Sequence, residues 1–262
     1  MNPQLAQNLR RLRLSGLLSS LEVRLQEAQG NSLGHAEFLE LVIADELAVR
    51  DDRAIARRIK AARFRDTRTI EDFDFSFNPA INRRQILELA TCRFVREHRD
   101  ILFLGPPGVG KSHLAQGIGH QATRMGFVVL YRSIFDAVAE LMQAEAVGDQ
   151  SKALGRYLKP DLFILDDMGL KKLPTQSGEY LFEIIMRRYE LRSTIMTSNR
   201  PLEEWGKLIG DVPTATAILD RFLDRAEVIQ ITGRSYRLKD RACSKEKTRD
   251  KVDSKAESTG RF

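Results

Sequence analysis

Residues 105–112 read Gly-Pro-Pro-Gly-Val-Gly-Lys-Ser, the pattern G-x-x-x-x-G-K-[ST]. Its surroundings restrict what it can be. Residues 101–104 form an apolar run of strand character, and His113-Leu114-Ala115-Gln116 opens a helix. Strand, glycine loop and helix in that order make a phosphate-binding loop, a unit of parallel α/β sheets. The glycines let backbone N–H groups curl around a triphosphate, and the helix N-terminus adds positive potential. Lys111 is expected to reach the β- and γ-phosphates and Ser112 to ligate Mg²⁺. Gly105, Pro106, Pro107, Gly108, Val109, Gly110 and His113 complete the expected contacts to ATP or GTP.

The chain beyond the loop supports that fold. Strand candidates at 101–104, 127–131, 162–165, 194–197 and 228–231 alternate with helical stretches, the signature of a doubly wound, mostly parallel sheet. Ser133-Ile134-Phe135-Asp136 has capping-box spacing and opens a helix with Ile134, Val138, Leu141 and Met142 on one side. The run Leu162-Phe163-Ile164-Leu165 ends in Asp166-Asp167. A buried strand of this kind holds carboxylates rigidly beside a γ-phosphate: Asp166 for the metal, Asp167 to polarise the attacking water. The next strand ends Thr197-Ser198-Asn199, where a polar side chain can orient that water; Asn199 is the first choice, with Thr197 and Ser198 as alternatives. A helix over 214–226 places Ala215, Ile218, Leu219 and Phe222 inward and Arg221 and Arg225 on its flank. On spacing alone Arg221 reads as a surface arginine paired with Asp220 or Asp224.

Residues 1–66 are helical in pattern and punctuated by Gly16 and the 30–34 segment, which suggests a small all-α domain. In its last helix, about 44–63, Arg50, Arg53, Arg57 and Lys60 share one face, opposite Ile55, Ile59 and Ala62. Such a stripe is either a solvated helix face or a track for a phosphate backbone. Residues 67–100 read as a linker, with the acidic and aromatic Thr69-Ile70-Glu71-Asp72-Phe73-Asp74-Phe75, followed by a helix over 82–98. An ATPase domain would then fill 67–240, and 241–262 is a polar, basic tail of disordered composition. The net charge of +6 admits a polyanionic partner without requiring one. Two distant cysteines, Cys92 and Cys243, suit a reducing cytosol; nothing at the N-terminus resembles a signal peptide and no apolar run spans a membrane, so a cytoplasmic protein is expected.

Taken together, residues 105–112, 162–169 (LFILDDMG), 197–205 (TSNRPLEEW), 218–222 (ILDRF) and 233–238 (GRSYRL) resemble the IstB-like ATP-binding proteins. These are transposition helper ATPases of bacterial insertion sequences, relatives of the DnaC helicase loaders within the AAA+ class. The resemblance covers nearly the whole chain. It implies an AAA+ P-loop fold with a five-stranded sheet of order 5-1-4-3-2, preceded by a helical domain that binds DNA or a partner. It also implies ATP-dependent homo-oligomerisation on duplex DNA and partnership with the transposase of the same element. It moves Arg221 from a surface arginine to the favoured arginine finger and makes Arg237 a candidate phosphate sensor. Asp167 stands where most AAA+ enzymes carry glutamate.

Two other classes compete with the transposition helper. A replicative helicase loader would share the fold but bind a helicase and prefer single strands. A small-molecule P-loop kinase is disfavoured by Asp166-Asp167, by the Thr197-Ser198-Asn199 strand end and by the lack of an arginine-rich substrate lid.

Overall fold

The computed structural model describes residues 2–170, 173–174 and 177–236. The chain divides into two compact units, Met1–Lys60 and Ala61–Phe262.

The first unit consists of α1 (Pro3–Arg11), α2 (Ser15–Asn31) and α3 (His35–Ala62), whose last two residues belong to the second unit. Asn2 caps α1 by accepting from the Gln4 N–H at 2.9 Å. Leu9, Leu21 and Val42 are buried at its centre, with Leu14, Leu17, Leu18 and Phe38 packed around them. Gly16 does not break a helix, as its sequence position suggests. It lies in the first turn of α2, where an added Cβ would stand 2.9 Å from the Asp45 carbonyl oxygen. That close approach lets the buried Glu46 carboxylate accept from the Gly16 and Leu17 N–H groups at 2.7 and 3.0 Å. These are otherwise orphan donors at a helix N-terminus. Arg24 closes the α2–α3 pairing with a two-pronged bond to Asp45, at 2.9 and 2.8 Å.

The boundary at residue 60 is earlier than the expected 66, for a packing reason. Ala62 is fully buried in the second unit's core, and the Phe64 ring stacks on His120 at 4.0 Å. The helix expected over 82–98 is two short ones, α4 (Arg83–Leu89) and α5 (Arg93–Arg96). Cys92 takes a left-handed φ of 54° between them, and the Thr91 hydroxyl donates to the Glu88 carbonyl at 2.7 Å. A side chain thereby meets a carbonyl that a continuing helix would have paired.

The remaining elements are β1 (Asp100–Leu104), α6 (Lys111–Arg124), β2 (Val129–Ser133), α7 (Ile134–Ala146), α8 (Gln150–Leu158), β3 (Leu162–Met168), α9 (Ser177–Arg188), β4 (Ser193–Ser198), α10 (Trp205–Ile209), α11 (Val212–Asp224) and β5 (Ala226–Gln230). The five strands form one parallel sheet in the order β2-β3-β4-β1-β5, the expected 5-1-4-3-2 read from the other edge. Its central strands are buried on both faces, and alternate residues feed two cores. Ile101, Phe103, Ile164 and Ile195 pack with α4, α5 and α6, while Leu102, Phe163, Leu165 and Met196 pack under α7 to α11. Ser133 caps α7 through the Asp136 N–H at 3.1 Å; Ile134, Val138 and Leu141 are buried as expected, whereas Met142 is exposed.

One irregularity in the sheet matters for the site. The β3–β4 ladder is regular from Leu162 to Leu165, then shifts register before resuming at Met168. Asp166 and Asp167 lie in that bulge, and Asp167 has φ 66°. The Asp167 N–H, released from the ladder, donates to Thr197 Oγ1 at 3.1 Å. Among the described residues, no helix is long and apolar enough to cross a membrane.

Candidate functional site

The phosphate loop turns between β1 and α6. Gly110 precedes α6 with φ 108°, and an added Cβ there would stand 2.6 Å from the Phe73 ring. Only glycine combines that backbone conformation with that contact. α6 begins at Lys111 without a side-chain cap, leaving its first N–H groups to face the loop. Lys111 is buried, and its Nζ donates to the Gly105 and Pro106 carbonyls at 2.8 Å each. An ammonium laid across a concave loop of N–H groups is suited to a polyphosphate.

Above the loop lies a cavity of about 450 Å³. Pro107, Gly108, Val109, Gly110, Lys111, Ser112 and His113 line one side, and Asp167 and Asn199 the end nearest the strand tips. Gly105 and Pro106 serve as acceptors for Lys111 rather than as cavity wall. The opposite wall comes from the linker, through Arg65, Arg68, Asp72, Phe73, Phe77 and Asn78, together with Tyr236. Phe77 meets Tyr236 edge-on at 5.0 Å, and Phe73 meets His113 edge-on at 5.1 Å. His113 Nε2 bonds the Thr69 carbonyl at 2.8 Å, and burial holds the imidazole pKa below its usual value. The linker is therefore part of the site. Its paired aromatics and acids at 69–75 were the available signal, and they carry no spacing that distinguishes a cavity wall from an ordinary loop.

Asp166 is wholly buried behind the cavity and held by three hydroxyls. Ser112 Oγ donates to it at 2.8 Å, Tyr131 at 2.5 Å, and Thr197 Oγ1 donates to the same oxygen as Ser112. Burial beside Asp166 pushes the Tyr131 phenol far above its usual pKa, so it stays a donor. Sequence reasoning missed Tyr131, which in a strand of apolar neighbours reads as core. The pairing of Ser112 with a carboxylate is a hard-oxygen donor set of the kind Mg²⁺ takes together with phosphate oxygens and water, and the residues fit that ion. Of the three polar residues at the end of β4, Thr197 is engaged with Asp166 and Asp167, and Ser198 bonds within its turn to the Arg200 carbonyl at 2.8 Å. Asn199 is the one that lines the cavity.

The predicted cations divide. Arg221 is exposed on α11, 5.6 Å over the Tyr189 ring, and does not line the cavity. Arg225 donates to the Glu97 carbonyl at 3.3 Å and tethers the start of the sheet. Arg188, which its charge in the sequence offers to DNA alongside Lys171, Lys172 and Arg187 should the α3 stripe touch no phosphate, is no surface contact. It is 1% exposed and donates to the Tyr157, Pro160 and Ser193 carbonyls, and burial pushes its pKa down to about 9. Arg187 pairs with Glu183 at 3.1 Å. Lys171, Lys172, Arg237, Cys243 and the 241–262 tail lie outside the described residues. In the first unit all four stripe residues are exposed, but Arg50 is bound to Glu46 at 2.7 Å and Arg53 to Ser15 Oγ at 2.5 Å. Arg57 and Lys60 carry no ion pair among the described residues.

Comparison with known proteins identifies the family. The family model for IstB-like ATP-binding proteins matches residues 7–244. An ATP-binding protein of insertion sequence IS5376 from Geobacillus stearothermophilus is 37% identical over 240 residues, covering 92% of this chain and 96% of the relative. One of insertion sequence IS21 from Pseudomonas aeruginosa is 37% identical over 233 residues, 89% of this chain and 88% of the relative. Among solved structures, the replication initiator DnaA bound to AMPPCP and single-stranded DNA aligns with TM-score 0.54 and 24% identity, over 64% of this chain and 51% of that one. DnaI aligns with TM-score 0.51 and 23% identity, over 64% of this chain and 90% of that one. The structural neighbours show a shared AAA+ fold, and the sequence match extends through both units: the chain belongs to the family of IstB-like ATP-binding proteins.

Proposed function

We propose that this protein is a Mg²⁺-dependent ATPase that assembles as a homo-oligomer on duplex DNA and delivers that DNA to the transposase of its own insertion sequence. The observation that supports hydrolysis is the convergence on one cavity of Lys111, Ser112, Asp167 and Asn199, backed by Asp166. In this reading the loop N–H groups and Lys111 hold the β- and γ-phosphates. Ser112 and Asp166 hold Mg²⁺, which neutralises charge on the phosphate oxygens when bound. Asn199 orients a water against the γ-phosphate and Asp167 accepts its proton as the bond to ADP breaks. Phe73, Phe77 and Tyr236 offer apolar faces to the base. Arg221, which is exposed and does not line its own cavity, suits a role at a neighbouring subunit's nucleotide.

For the partner, the net charge of +6 and the exposed Arg57 and Lys60 suit a phosphate backbone. Helicase loading is the competing reading. It draws on the DnaI likeness, which is confined to the fold, whereas the insertion-sequence relatives match across both units. The test is electron microscopy of the protein with ATP and duplex or single-stranded DNA, followed by addition of the transposase encoded beside it. Assemblies on duplex that recruit the transposase support the proposal; assembly on single strands alone overturns it. Lys111→Ala should weaken nucleotide binding at least ten-fold and abolish assembly. Unchanged affinity would overturn the phosphate-site assignment.

A further inference from the structure

Arg65 belongs to no motif and stands at the head of the linker. Its guanidinium Nη1 is 3.5 Å from Asp167 Oδ2, and both residues line the same cavity as Lys111 and Ser112. Its root is fixed. The Arg65 and Asp66 N–H groups both donate to Gln116 Oε1 at 3.1 Å, and Gln116 is buried on α6, one turn beyond Ser112, whose carbonyl its own side-chain amide bonds at 3.2 Å. The backbone that carries Arg65 is thus registered to the phosphate loop itself. The side chain is 65% exposed, so its pairing with Asp167 is screened and weak, and can be exchanged at little cost.

We propose that Arg65 is a catalytic residue that contacts the γ-phosphate of the nucleotide bound in its own subunit. This rests on the ATPase reading above. A terminal phosphate held by Lys111 and Ser112 at the Asp167 end of the cavity brings phosphate oxygens beside a planar guanidinium that is already there. Phosphate is the better partner: it carries more charge and accepts two parallel N–H bonds. The contact does two things. It adds positive charge where negative charge develops on the transferring phosphoryl group. It also draws the guanidinium from Asp167, leaving that carboxylate to take the proton of the attacking water. No covalent step is added: water forms the new P–O bond, the bond to ADP breaks, and Arg65 remains protonated throughout. Arg63, two residues earlier, is a natural control. It lies 3.8 Å from Glu140 and does not line the nucleotide cavity.

The test is a comparison of Mg·ATP and Mg·ADP binding, using a non-hydrolysable ATP analogue alongside ATP, in Arg65→Ala, Arg65→Lys and Arg63→Ala proteins. Arg65→Ala should lose about ten-fold in affinity for the ATP forms and almost nothing for ADP, with hydrolysis down by more than the binding loss. Arg65→Lys should restore part of the ATP affinity, since a point charge replaces a two-pronged one. Arg63→Ala should keep the parent ratio. A purely structural Arg65 would weaken both nucleotides together and lower the melting temperature. That outcome, or an unchanged ATP-to-ADP ratio in Arg65→Ala, overturns the proposal. Failure of the ATPase reading looks different: the parent protein itself would then bind neither nucleotide, or bind without hydrolysing.

Discussion

At the scale of single residues, the environment of each carboxylate sets what its replacement should do. Asp167→Asn keeps a residue tolerant of the left-handed conformation but removes the proposed proton acceptor. Hydrolysis should fall by about 10²- to 10⁴-fold, the usual worth of a general base, with ATP affinity retained. Parent-rate turnover would exclude Asp167 from that role. Tyr131→Phe removes one of three hydroxyls that hold Asp166. Loss of such outer support should raise the Mg²⁺ concentration for half-maximal hydrolysis by about ten-fold, while the Mg²⁺-independent part of nucleotide binding is unchanged; titrating Mg²⁺ in both proteins decides it. Asp100 has no place in catalysis but a clear place in stability. Burial pushes its pKa up to about 7, against a partly compensating bond from the Thr194 N–H. A folded-state pKa above the unfolded one gives stability that is complete below the ordinary carboxylate range and lost as pH rises through about 7. Melting temperature should therefore fall between about pH 4 and 7 through this group and level off above that window. In Asp100→Asn that drop should be absent.

Elements divide into those whose sequence announces them and those decided by contacts elsewhere. The five strands were legible because each is an apolar run bounded by polar turns, and strand order followed from the family resemblance. Their ends moved by up to three residues: β3 runs on to Met168 rather than 165, and β2 begins at Val129 rather than 127, after a turn in which Gly126 takes φ 97°. The break between α4 and α5 was invisible because Cys92 is an unusual residue for a left-handed turn, and its burial, not its propensity, holds it there. The basic stripe of α3 was legible as a face but not as a function. Two of its members are engaged: Arg50 with Glu46, one turn back on the same helix, and Arg53 with Ser15 of α2, which only the folded helices bring near. That division changes the expectation. Replacing Arg57 and Lys60 by Gln should flatten the slope of log DNA affinity against log salt by up to about two units, with the fold intact. Replacing Arg50 and Arg53 should instead lower the melting temperature of the first unit. Equal salt slopes in all the proteins would mean that the stripe touches no phosphate.

For the whole molecule, the sequence was most informative about the floor of the cavity and least about its walls. The loop, Asp166, Asp167 and Asn199 come from contiguous motifs. Arg65, Phe73 and Tyr131 come from segments whose relation to the site exists only after the linker folds back over α6 and the sheet forms. Arg221 belongs to a larger scale still, since its proposed partner is another copy. Arg221→Ala should bind ATP normally but lose DNA-stimulated hydrolysis. Mixing it with Lys111→Ala should recover part of the rate, because an intact Arg221 then faces an intact loop at some interfaces. No recovery at any ratio, in variants that co-assemble, would exclude an intersubunit role. The bulge that sets Asp167 at φ 66° has a consequence in genetics. A left-handed position accepts asparagine and glycine with little strain, and each is one base change from an aspartate codon. If Asp167 has the proposed role, such lesions would slow turnover sharply while sparing folding, nucleotide loading and the proposed self-assembly. The proposed function makes alleles of that kind dominant: a minority of such subunits, co-expressed with intact ones, should arrest the assemblies they enter, and a single cell carrying both copies should transpose less often than one carrying half the dose of the intact copy alone.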